Sequence, residues 1–324
     1  MAGGQERVLR RRIKSIQSTQ KITRAQELIA ASRIVKATAA VEAAQPYSEA
    51  ITQVVRDLSA GGSGSDSPLL TPRPEIRRVA LIVIAADRGL SGAYNSSVIR
   101  EAERALLAEV ARGRDYSLIA VGRKTESYFR YRDYNIDAVC SGFSDQPSYE
   151  DARQVGAAAT RAFLAGETDE VQIIYTQYRS AGVQVVVRQT LMPLVRDEIP
   201  AATGDAETVA ASYEFEPSPE GILDLLLPRY VDSRVYAALL NAAASEHTAR
   251  QRAMKAATDN AADLITSLSR VMNRARQDTI TTEIMEIVSG SEALRQGASG
   301  ETDYLSDTIE GRDADLFAAR GTDR

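Results

Sequence analysis

Apolar residues recur at helical spacing along the first stretch of the chain. Leu9, Ile13 and Ile16, and later Tyr47, Ile51, Val54 and Leu58, fall three or four residues apart, which predicts one long helix over about 5–58. Its interior is rich in Ala, Arg, Lys, Gln and Glu, all good helix formers, and holds no glycine. Pro46 lies within it and is expected to bend it locally, because proline removes one backbone hydrogen bond and crowds the preceding turn. The pattern breaks at Gly61-Gly-Ser-Gly-Ser65, followed by Pro68, Pro72 and Pro74, so residues 61–76 read as a linker. The period then changes. Val79–Ala85 is a continuous β-branched and aliphatic run, as in a strand buried on both faces. A glycine turn and a helix around 96–112 follow, then a strand at 116–121, a helix from about Lys124, a short strand at 138–140 and a helix at 149–164. Two strands, 171–178 and 182–192, face each other across Ser180-Ala-Gly182. This alternation predicts an α/β domain over 77–200.

After a loop at 201–218, a second long helix is expected over 219–295. From Arg229 to Ser289 there is neither glycine nor proline, and Gly290 is its expected stop. Its apolar stripes are Ala261, Leu264, Ile265, Leu268, Val271 and Met272, then Ile280, Ile284 and Ile287. Residues 296–324 are polar and acidic and are expected to be disordered or loosely docked. A helix of about 60 residues spans roughly 90 Å and cannot bury its stripe inside an ordinary globule. Two such helices bracketing a compact domain must pack on each other, antiparallel, because the chain returns through the domain between them. The expected fold is therefore α/β: a long antiparallel coiled coil of the N- and C-terminal helices plus a central Rossmann-like domain. The heptads are imperfect and alanine-rich, which suits close packing without a strict zipper.

Composition narrows the function classes. In 324 residues there is one cysteine, Cys140, and one histidine, His247. An internal disulfide and a Cys/His metal site are thereby excluded, and His247 is expected on a helix surface. The longest apolar runs are far too short to span a bilayer, and the polar, basic start Met1–Arg12 does not read as a signal peptide. The net charge of −5 conceals a basic first helix and an acidic end. The basic helix fits an acidic partner, nucleic acid, an anionic membrane or simply a solvated face. Nucleic acid is the weaker reading, because aromatics do not interleave with the basic residues and the whole chain is acidic.

Enzymatic chemistry finds little support. Asp87-Arg-Gly-Leu-Ser-Gly-Ala-Tyr-Asn95 leads from a strand into a helix, where a phosphate-binding loop would lie. It carries only Gly89 and Gly92 and matches neither G-x-G-x-x-G nor a P-loop. A tight turn is the plainer reading. Ser91 has no histidine nearby in sequence to act as its base.

Three separated segments resemble the gamma subunit family of F-type ATP synthases, in its bacterial form. Gln17-Ser-Thr-Gln-Lys-Ile-Thr-Arg24, continuing to Ala30-Ala-Ser-Arg-Ile-Val-Lys-Ala37, is similar to that family's N-terminal helix signature. Asp87–Asn95 is similar to its first strand-to-helix turn. Ala253-Met-Lys-Ala-Ala-Thr-Asp-Asn260 and Asn273–Gly290 look like its C-terminal signature. The resemblance covers about residues 1–295 in order.

It implies a non-catalytic rotor shaft, without a cofactor, coupling proton flow through the membrane sector to ATP synthesis or hydrolysis. The implied partners are the alpha and beta subunits of the catalytic hexamer, the epsilon subunit and the c-subunit ring. The implied place is the cytoplasmic face of the plasma membrane, peripherally. The central domain would bind no nucleotide. Carried over on the motif matches, Lys21, Arg24, Arg250, Gln277 and Thr281 would meet the beta subunits. Tyr213, Glu214, Phe215 and Glu216 would lie near the c-ring. The chain departs from the family pattern at Gln26 and Leu28, at Arg33–Lys36 and at Ser91, and runs about thirty residues past the usual end. The alternatives kept open are a nucleic-acid-binding coiled-coil protein and a nucleotide-binding enzyme.

Overall fold

The computed structural model describes residues 2–60, 67–194 and 219–310. By packing, the chain divides into two compact units, Ile22–Thr258 and Met1–Lys21 with Asp259–Arg324. Two long helices run through the division: α1 (Ala2–Ala60) and α5 (Pro219–Glu310).

Within 22–258 lies a five-stranded sheet. Its strands are β1 (Arg78–Ile84), β2 (Asp115–Val121), β3 (Ala138–Cys140), β4 (Glu170–Tyr178) and β5 (Gln184–Met192), in the order β3-β2-β1-β4-β5. Three helices join them: α2 (Tyr94–Ala111), α3 (Arg123–Tyr131) and α4 (Tyr149–Leu164). The first four strands run parallel, and β5 returns antiparallel to β4 as a hairpin. The expected strands and helices are all present, with ends shifted by a residue or two.

β1 is buried along nearly its whole length because both faces of the sheet are covered. Val79, Leu81 and Val83 point into one apolar cluster with Val98, Ala102 and Leu106 of α2 and Phe129 of α3. Ala80, Ile82 and Ile84 point into the other, with α4, Ile51, Val55 and Leu58 of α1, and Leu223–Ala242 of α5. A period of two thus sends alternate residues of one strand into two cores. Leu69 and Leu70, inside the segment read as linker, are buried in the second core, and Leu69 O accepts from Leu194 N at 2.7 Å. The glycine run 61–65 and the loop 201–218 lie outside the described residues.

The two long helices run antiparallel here. Thr23 bonds Thr258 at 2.8 Å, Arg33 and Lys36 share a cleft with Leu240 and His247, and Tyr47 shares one with Arg229 and Ser233. As numbers rise along α1 they fall along α5.

In the other unit, α5 continues through Gly290 to Glu310. The expected stop is thus corrected. Gly290 has an ordinary helical backbone rather than a left-handed cap. One glycine costs about 1 kcal/mol in a helix, and Ser291–Gln296 supplies good formers beyond it. Every residue from Thr281 to Gln296 is exposed, including Ile284, Met285, Ile287, Val288 and Leu294. The tail after Glu310 lies outside the described residues.

Candidate functional site

The turn between β1 and α2 organises the polar heart of the larger unit. The Asp87 carboxylate accepts from the backbone N–H of Arg123 at 3.0 Å, of Gly142 at 2.9 Å and of Ser144 at 3.1 Å. Ser144 Oγ in turn accepts from Asp87 N at 2.9 Å, and Asn95 Oδ1 accepts from Ala86 N at 2.9 Å. The Asp87 carboxylate thus joins this turn to the loops before α3 and after β3. Gly92 takes φ +58°, a left-handed angle that favours glycine, and faces Ala253 of α5, from whose Cβ an added Cβ would stand at an ordinary contact distance of 3.6 Å. The sequence Gly89-Leu-Ser-Gly92 is thus a packing turn for a helix.

Beside it the loop after β3 carries Asp145. Arg33 Nη1 of α1 lies 2.5 Å from Asp145 Oδ2, and Arg88 Nη1 lies 3.5 Å from the same oxygen. Burial pushes the Asp145 carboxyl up, but the hydrogen bond and charge of Arg33, with Arg88, outweigh it and hold it below its ordinary value. His247 Nε2 donates to the Asp145 carbonyl at 3.1 Å, and Arg250 Nη1 meets His247 Nδ1 at 3.4 Å. A carbonyl on one nitrogen and a guanidinium on the other select the neutral tautomer protonated at Nε2. His247 is 1% exposed, so its expected place on a helix surface is corrected. The loop after β3 and the next turn of α5 pack over it.

Arg250 is buried too. It pairs with Glu246 one turn before it and reaches the Gly89 carbonyl at 3.4 Å. Burial raises the Glu246 carboxyl despite Arg250, and raises the Tyr94 phenol beside them. Breaking a buried pair of this kind leaves an uncompensated charge, so Arg250 and Glu246 hold each other in place within the larger unit.

The other expected contact residues are placed differently. Lys21 is exposed on α1. Arg24 is exposed and pairs with Glu27 at 3.0 Å. Gln277 and Thr281 are exposed on α5, next to Val271, Ile280 and Ile284. Lys21, Gln277 and Thr281 fall in the smaller unit; Arg24 and Arg250 fall in the larger. Tyr213, Glu214, Phe215 and Glu216 lie outside the described residues. The cluster of Arg33, Asp145 and His247 escaped sequence reading, because nothing in spacing joins residues so far apart.

Among the described residues no helix is long and apolar enough to cross a membrane. A family model described as ATP synthase matches residues 5–294. The ATP synthase gamma chain of Frankia casuarinae is 51% identical over 300 residues, covering 91% of this chain and 99% of that one. That of Mycolicibacterium smegmatis is 46% identical over 303 residues, covering 89% and 97%. Among solved structures, the central stalk and c-ring of the Tetrahymena thermophila mitochondrial ATP synthase superposes with a TM-score of 0.58 at 25% identity, covering 73% of this chain and 99% of that one. A Euglena gracilis mitochondrial ATP synthase chain superposes at 0.63 with 18% identity, covering 91% and 96%, which speaks for the fold alone. Two long terminal helices bracketing a mostly parallel sheet, matched over nearly the whole length at this identity, place the chain in the ATP synthase gamma chain family.

Proposed function

We infer that this chain is the central rotor shaft of an ATP synthase, working by contact and torque and carrying no bond chemistry of its own. Its partners on this reading are the alpha and beta subunits, which the long helices would enter, and the epsilon subunit and c-ring at the sheet domain. It would sit at the cytoplasmic face of the plasma membrane, held there through the complex.

The observation that carries the reading is the exposed stretch of α5 from Thr281 to Gln296. A helix that exposes Ile284, Ile287 and Leu294 at 54%, 71% and 77% is not finished as a surface. It fits inside a sleeve of other subunits. Exposed Thr281 at its start and Gln277 one turn before, with Lys21 and Arg24 on α1, would supply the polar contacts to the beta subunits. Arg250 would join them only after leaving Glu246. In energetic terms the shaft acts as a ligand whose contacts favour a different beta conformation at each angle.

The test is reconstitution of alpha and beta subunits with and without this chain. A stable complex with sustained, cooperative ATP hydrolysis only when the chain is present, and none from the chain alone, supports the reading. A chain that neither joins the complex nor changes turnover overturns it.

A further inference from the structure

The winding of the sheet reverses between β1 and β4. From β1 the chain leaves by α2 on one face, and it reaches β4 by α4 on the other face. In open α/β sheets, ligands bind in the crevice at the carboxyl ends of two such strands. Here that crevice is a cleft of about 430 Å³. It lies between the start of α2, the hairpin end of β4 and β5, and residues 245–253 of α5.

The walls of the cleft favour an anion. α2, 18 residues long, begins at Tyr94 with no side-chain cap and no acid in its first turn. The amides of Tyr94 and Ser97 go to the carbonyls of Ser91 and Ala93, but those of Asn95 and Ser96 find no acceptor among the described residues. Such a helix start carries partial positive charge and spare donors. Among the described residues no carboxylate lines the cleft. Its one charged lining residue is Arg252, whose guanidinium bonds Gln184 across the rim.

The floor supplies an independent observation. Thr176 of β4 is 5% exposed, and its Oγ1 has no hydrogen-bond partner. Its main-chain carbonyl accepts from Ser245 Oγ at 3.1 Å, while the neighbouring Tyr94 hydroxyl donates to the Ala242 carbonyl at 3.2 Å. A buried hydroxyl left without a partner costs free energy until something in the cleft bonds it.

We propose that this cleft binds a small phosphate group, with the start of α2, Thr176 Oγ1 and Arg252 as its donors. A tetrahedral oxyanion accepts from several directions at once, which suits donors arriving from a helix, a strand and a second helix. The bound group joins α2, β4 and α5 and so seats α5 more firmly on the sheet. The site belongs to this chain alone and does not depend on the rotor reading.

The experiment is titration calorimetry of the full chain with inorganic phosphate, chloride making up a constant ionic strength. One saturable site is expected, with a Kd on the order of 1 mM. Arg252→Gln should weaken it about tenfold. Thr176→Val keeps the shape and loses the hydroxyl; it should weaken binding about threefold or more without lowering the thermal midpoint of the unliganded chain. Ser97→Glu sets a carboxylate in the cleft and should abolish binding. Glycerol 3-phosphate, titrated in parallel, distinguishes the source: tighter binding assigns the cleft to a phosphomonoester, equal or weaker binding to the free ion. Heat that does not saturate, or one affinity shared by the unaltered chain, Arg252→Gln and Thr176→Val, overturns the site. Equal binding of acetate overturns it as well, because charge alone then accounts for the response. Should Thr176→Val fail to fold, Arg252→Gln, at an exposed position, decides alone.

Discussion

At the scale of single residues, the buried polar groups of α5 make the sharpest statements. Burial above all, with the charges of Arg250 and Arg33, pulls the His247 imidazole below its ordinary 6.5, against the pull of Asp145. An unfolded histidine takes its proton near pH 6.5; the folded one takes it only lower. Between those two values the unfolded chain binds more protons, so stability is full above about pH 6.5 and falls as pH drops below it. The loss is at most about 1.4 kcal/mol per pH unit. His247→Gln should therefore flatten the decline in thermal midpoint between about pH 6.5 and 5.5. Asp145, held low by Arg33, contributes its own loss only below the ordinary carboxylate value of 3.8, so the two limbs separate. Arg250 gives a larger effect. Arg250→Leu leaves Glu246, 1% exposed, as a buried carboxylate without its cation, and should cost about 3 kcal/mol in denaturant unfolding. Adding Glu246→Gln should recover much of that, because the orphaned charge is gone. Sequence reading had sent His247 to a helix surface and gave no sign that Arg250 is buried, and for one reason. A helix's own periodicity says which residues share a face, but not that a distant loop such as 142–147 covers it.

At the scale of elements, sequence reading is at its best where two periods contrast. β1 alternates between two cores and reads as an unbroken apolar run; α4 begins at Ser148-x-x-Asp151, a capping pair visible in the letters. It is weakest at ends and junctions. Gly290 looked like a stop, yet helix formers on both sides carry α5 through it. Leu69 and Leu70 looked like linker between prolines, yet they fill a core. Glycines likewise differ by place rather than by letter. Gly122, at φ +91°, opens α3 where a Cβ would lie 2.1 Å from the Ala85 carbonyl oxygen. That oxygen belongs to backbone and cannot turn aside. Gly113, at φ +75°, has nothing within 4 Å. Gly122→Ala should thus cost about 3 kcal/mol or more, whereas Gly113→Ala should cost about 1, for its backbone angle alone. Paired urea titrations of the two variants check this; equal costs would mean that the β1 end yields to the added methyl.

At the scale of the whole molecule, the question is which features serve the chain's own stability and which serve an assembly. The sheet domain is closed, with both faces of its sheet covered. The end of α5 is not. Ile284 is 54% exposed and touches no core. Ile284→Glu exchanges one helix former for a better one and removes exposed apolar surface, so the isolated chain should keep its thermal midpoint within about 0.5 kcal/mol. In a reconstituted complex the same change would bury a carboxylate against a sleeve of other subunits. An unpaired charge or lost anchor at such a contact costs on the order of 1–3 kcal/mol, so affinity for the alpha and beta subunits should fall about tenfold or more. Glu283→Gln, at an equally exposed neighbouring position, is the control and should leave assembly unchanged. The contrast separates two kinds of apolar surface. If Ile284→Glu lowers the stability of the free chain, the segment packs on its own helices. If it spares the free chain and weakens the complex, the exposed face exists for its partners. If it changes neither, the shaft's tip turns without touching what surrounds it, and the grip that drives the catalytic subunits lies nearer Gln277 and Lys21.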